Sequence, residues 1–234
     1  MKKIILLLTL VIMSASCGKT VTTFDDPSTE ATTLVGEPET QTATETTSEE
    51  LRATEVAEYN YVDPQRLVPT TPLTQALRYF KTNRSMIANQ KYMTVIDMTQ
   101  KSNQKRMYVI DMVNGSVASY LVAHGKNSDS NNDGYPERFS NTEGSLMTSL
   151  GFYLTDDSYQ GSHGLSLRLR GLQSTNSNAY SRAVVIHGAD YVNSSGVGRS
   201  WGCPAIESRY VNTLIPALRN KSLLYIYKAA TTTN

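Results

Sequence analysis

Residues 183–206 read AVVIHGADYVNSSGVGRSWGCPAI. The run Ala183-Val184-Val185-Ile186 has the composition of a buried strand, and it ends on His187. A loop rich in Gly and Ser then leads to Arg199 and on to Cys203, which stands between Gly202 and Pro204. A rigid strand end followed by a loop is a good way to present a base to a nucleophile. Cysteine attacks as the thiolate, whose free pKa of about 8.5 must be lowered or bypassed by a neighbouring base, and histidine is matched to that task near neutral pH. Gly202 leaves the backbone approachable on one side of Cys203 and Pro204 stiffens it on the other. The main-chain N–H groups of Gly202 and Cys203 are therefore candidates for holding a developing oxyanion. The alternatives are a buried structural thiol for Cys203 and a backbone-capped core histidine for His187. His124 and His163 are also each followed by glycine, so the dipeptide by itself selects nothing, and both are expected to be structural or surface residues.

Outward from this stretch, short runs rich in Val, Ile, Tyr and Thr predict strands at 92–98, 106–113, 116–123, 149–155, 166–169 and 183–186. Asn114-Gly115 lies between two of them and reads as a two-residue hairpin turn, both residues tolerating positive φ. A helix is expected near Ser208 to Leu218, bent by Pro216, and then a last strand from Leu223 to Tyr227. Ahead of the strands, Leu73, Ala76, Leu77, Phe80 and Ile87 keep helical spacing after Pro72 and predict a helix from about Thr71 to Asn89. The domain reads as mainly β, a small sandwich or barrel with a few short helices.

The N-terminus is of another kind. Lys2 and Lys3 precede an apolar run from Ile4 to Met13, then Ser14, Ala15, Ser16 and Cys17. This is the layout of a secretory signal peptide over 1–17, too short for a spanning helix of about 20 residues. Small residues directly before Cys17 point to lipidation there, although the usual leucine is replaced by Ser14. Residues 18–58, dominated by Thr, Glu, Ser and Pro, are expected to be a disordered spacer. Residues 59–91 then form a helical lead-in to a catalytic domain at 92–228. With 22 basic and 21 acidic residues the chain has no electrostatic footprint for nucleic acid, and a membrane enters only through the lipid anchor. Of the two cysteines, Cys203 is left without a disulfide partner once Cys17 is lipidated or removed. Asp129-Ser130-Asn131-Asn132-Asp133-Gly134 matches the opening of a calcium loop, but Ser140 stands at the twelfth position, and a solvated turn is the preferred reading. No metal or organic cofactor is expected.

The segments IHG at 186–188 and SWGC at 200–203 resemble the signature of the L,D-transpeptidases, the YkuD-like family, in a branch whose cysteine motif reads SWGCPA. The resemblance covers roughly Tyr92 to Tyr227. It implies that Cys203 is the nucleophile, His187 the proton acceptor and Gly188 the source of a carbonyl that orients the imidazole. It further implies attack on a tetrapeptide stem of peptidoglycan, release of D-alanine, and transfer of the thioester to an acceptor amine, or to water in a carboxypeptidase or endopeptidase. Trp201 and Pro204 depart from the commoner pattern. Arg199 is the expected substitute for the missing arginine, with Ser200 and Trp201 beside it in substrate binding. Trp201 as simple packing and the whole chain as an inactive wall-binding lipoprotein are the competing readings. A monomer in the cell envelope or periplasm is expected.

Overall fold

The apolar runs become the strands of one curled sheet in the computed structural model, which describes residues 47–230. The leader, Cys17 and the spacer as far as residue 46 lie outside the described residues. The strands are β1 (Tyr92–Asp97), β2 (Met107–Asp111), β3 (Val117–Tyr120), β4 (Gly151–Gly161), β5 (Gly164–Gly171), β6 (Val185–Ala189), the short ribbon β7 (Val192–Asn193) and β8 (Gly196–Val197), β9 (Ala205–Glu207) and β10 (Leu223–Tyr227). Eight of them pair in the order β3-β2-β1-β10-β4-β5-β6-β9, with β1/β10 and β6/β9 parallel and the other pairs antiparallel. Beyond β3, Val122 bridges Ile206 of β9, and the Ala123 N–H donates to the Ala205 carbonyl at 2.9 Å. The two edges thereby meet and the sheet is nearly a barrel, which removes most of its unpaired backbone.

Alternation along each strand separates two apolar layers. Ile96, Leu167, Leu169, Ile186 and Ile206 face inward with Leu214, Ile215 and Leu218 of the short helix Val211–Leu218. Met93, Val95 and Ile110 face outward, where Leu73, Ala76, Leu77 and Phe80 of the helix Thr70–Thr82 cover them. Because β1 is buried on both sides, its apolar residues Met93, Val95 and Ile96 fall on both faces, with Thr94 and Asp97 buried among them. Among the described residues no helix is long and apolar enough to cross a membrane.

Several expectations are corrected. The spacer does not run to Glu58: Ser48–Glu55 is helical, with Thr47 and Glu50 forming a reciprocal cap, and Val56 and Tyr59 are buried in the outer layer. The lead-in helix stops at Thr82, because the Asn83 main-chain N–H and Nδ2 both donate to the Tyr79 carbonyl and a 3-10 turn follows at Arg84–Met86. Of the Asn114-Gly115 pair only Gly115 has positive φ. The hairpin closes instead from Asp111 to Ser116, with the Asp111 carboxylate accepting the N–H groups of Val113 and Asn114. A Cβ at Gly115 would collide with the Tyr61 carbonyl, so the lead-in is packed directly on this turn.

Candidate functional site

His187 occupies the middle of β6, opposite Ser166 of β5 and Ala205 of β9. Its sequence neighbour Ile186 faces the inner core, whereas Ala189 and Ala205 belong to a separate small cluster with Leu121, Ala123 and Val192. His187 therefore shares the face of Ala205. Cys203 stands two residues ahead of β9, beside the backbone of Val185 at the start of β6. The half-buried thiol lies 3.7 Å from the Ala183 carbonyl and has a hydrogen bond to the backbone of Val185. Burial pushes the Cys203 pKa up, while the Val185 bond and the Arg182 charge pull it down.

The His187 imidazole is 3% exposed. Its Nδ1 is 2.9 Å from the Gly188 carbonyl, which can only accept, so Nδ1 carries the proton and Nε2 keeps its lone pair. The His163 ring, from the β4–β5 hairpin, stacks on it at 4.4 Å with an interplanar angle of 25°. Burial holds the His187 pKa below its ordinary value, the Gly188 bond opposes this, and His163 lowers it further. His163, read from the sequence as structural or surface, is thus a wall of the site. Among the described residues no hydrogen bond joins the imidazole to the sulfur.

The turn before Cys203 is built by residues expected to bind substrate. Gly202 has φ +123°, and a Cβ there would fall 2.8 Å from the Met147 carbonyl. Its N–H donates to Ser200 Oγ at 3.0 Å, and that hydroxyl donates to the Cys203 carbonyl at 2.6 Å. The Gly202 N–H expected in an oxyanion hole is therefore already engaged, and Ser200, 4% exposed, braces the turn. Arg199 Nη1 donates to the carbonyls of Lys126 and Asp129, so this guanidinium ties two loops together. Trp201 is 76% exposed, which excludes packing as its role in the isolated chain.

Behind the turn lies a buried polar chain. Arg106 Nη2 is 2.8 Å from His124 Nδ1, and His124 Nε2 is 3.3 Å from Asp129 Oδ2. Arginine can only donate, so Nδ1 accepts and Nε2–H points at the carboxylate. Burial, then the Arg106 charge, drives the His124 pKa down, leaving the ring neutral. This chain fixes residues 124–129, whose backbone bonds hold Ser200 at both its N–H and its carbonyl. Asp129, Asp133 and Glu137 bring oxygens within 4.8 Å of one another. Both Asp129 oxygens already accept the N–H groups of Asp133 and Gly134, so the loop closes on its own amides. Arg182, which no motif singled out, donates to the carbonyls of Ser140 and Met147 and brings positive charge under Cys203.

A family model for the L,D-transpeptidase catalytic domain matches residues 65–227, well over half of the sequence. The chain belongs to that family. The matched L,D-transpeptidase domain starts ahead of residue 92, so the covering helix is part of it and not an appendage. Similar solved structures include Bd1075 of Bdellovibrio bacteriovorus, at 14% identity and TM-score 0.39, covering 60% of this chain and 49% of that one. An L,D-transpeptidase from Mycobacterium smegmatis has 12% identity and TM-score 0.37, covering 58% of each chain. One from Xylanimonas cellulosilytica has 15% identity and TM-score 0.36, covering 67% and 70%. The chain thus spans about half of the length of the first of these and nearly three fifths of the second. No curated protein matches the sequence.

Proposed function

We propose that this domain is a peptidoglycan L,D-transpeptidase that works through a thioester on Cys203. The observation that carries the reading is the placement of His187 in β6 and of Cys203 against the residues that lead into the same strand, with Nε2 left basic by the Nδ1–H bond to Gly188. The reaction requires the thiol to turn from the Ala183 carbonyl, which it faces at 3.7 Å, towards the imidazole. His187 Nε2 takes the thiol proton and the sulfur attacks the diaminopimelate carbonyl of a tetrapeptide stem. The C–S bond forms, the C–N bond to the terminal D-alanine breaks, and the imidazolium returns the proton to the leaving amine. An amine of a second stem then displaces the sulfur and closes a 3-3 cross-link. The Cys203 N–H is the main-chain donor left for the oxyanion. Exposed Trp201 provides an apolar flank for the sugar-peptide chain.

The same reading takes the protein as exported, lipidated at Cys17 and acting as a monomer in the cell envelope, with stem peptides as its partners and no nucleic acid or cofactor. Incubation of the protein and of Cys203→Ala with disaccharide-tetrapeptide, followed by mass analysis, tests it. Cross-linked dimer with released D-alanine is the expected product, absent with Cys203→Ala. Disaccharide-tripeptide alone would assign a carboxypeptidase, and unchanged substrate an inert wall-binding protein.

A further inference from the structure

Arg168 of β5 lies opposite Val185, the residue that Cys203 adjoins. Arg168, Val185 and Cys203 therefore form a row across the face of the sheet, parallel to the row Tyr159, Ser166, His187 and Ala205. Two interstrand spacings of about 4.8 Å set the Arg168 backbone roughly 10 Å from that of Cys203. The half-buried guanidinium lies over the Tyr159 ring at 4.1 Å from its centroid, with the Tyr180 ring at 5.8 Å. Among the described residues it makes no ion pair and no hydrogen bond. Its neighbours differ: Arg170 is paired with Asp156, and Arg182 and Arg199 are bonded to backbone carbonyls. Stacking occupies the flat faces of a guanidinium and leaves its edge, a fork of N–H donors shaped for a carboxylate. The Tyr159 ring also restricts a side chain that would otherwise lose its rotamer freedom on binding, while Tyr180 stacks on Arg170 at 4.1 Å.

We propose that Arg168, stacked on Tyr159, is the receptor for a carboxylate of the donor peptide, held on β5 beyond the strand that Cys203 adjoins. The site rests on the proposed acyl transfer at Cys203. Binding and chemistry separate the two claims. In a Cys203→Ala background, calorimetry compares disaccharide-tetrapeptide in its free-acid form with the same compound amidated at its carboxylates, with and without Arg168→Met. Loss of a charge-assisted fork weakens free-acid binding about 10- to 100-fold, leaves the amidated ligand unaffected, and is partly rescued by Arg168→Lys. Free-acid binding as tight in Arg168→Met as in its parent overturns the receptor, as does equal loss for both ligands or no binding to the parent. Free acid that binds through Arg168 but never acylates the Cys203 protein would instead refute the transpeptidase reading alone.

Discussion

His187 is held neutral mainly by burial, with the stacked His163 adding to the same effect. Replacing His163 with Ala admits water and removes a neighbour that lowers the His187 pKa, so that pKa rises. The acid limb of the acylation pH profile should move to higher pH in His163→Ala, and an unmoved limb would show that the stack does not tune the base. Gly202 carries a second residue-level prediction. At φ +123°, and with the Met147 carbonyl in the way, Gly202→Ala should cost about 1–3 kcal/mol of stability, measurable by urea unfolding. The candidate pair was legible because IHG and SWGC lie in one continuous stretch. The backbone bonds of Arg199 Nη1 and the Ser200 hydroxyl were not, since a motif does not record which carbonyls the fold brings beside a side chain.

At the level of elements, the Arg106–His124–Asp129 chain holds the segment that grips the Cys203 turn. His124 is neutral in the fold, with its pKa below the ordinary value of about 6.5 that it regains on unfolding. The unfolded chain therefore binds the extra proton first as pH falls, so stability from this site is present above about pH 6.5 and is lost progressively below it. Thermal unfolding of the protein should show this decline, and His124→Gln should flatten it while lowering the midpoint at neutral pH. Strands β1, β2 and β10 were legible because each is a run of Val, Ile, Leu, Met or Tyr buried against helices. β9 was not, having only Ala205-Ile206-Glu207 after a proline, and neither was the outer half of β4, whose residues 156–161 are polar and largely exposed. Arg168 and Arg182 gain meaning only through register and packing, which no local pattern records.

Across the whole molecule, the outer helix layer and the curled sheet share one apolar face, so the catalytic domain cannot begin at Tyr92. A chain starting there would expose Met93, Val95 and Ile110 and should aggregate, whereas one starting at Thr47 should stay soluble. Leu77→Ala within the full chain should cost about 2–5 kcal/mol in denaturant unfolding while sparing the site. In the proposed chemistry the imidazole of His187 activates the sulfur of Cys203. Intact-protein mass measured over time with disaccharide-tetrapeptide tests it most directly. The expected adduct is the stem less D-alanine, confined to Cys203 and formed about 10²- to 10⁴-fold more slowly in His187→Ala. An adduct that forms at the wild-type rate without His187, or that sits on any residue other than Cys203, would contradict it.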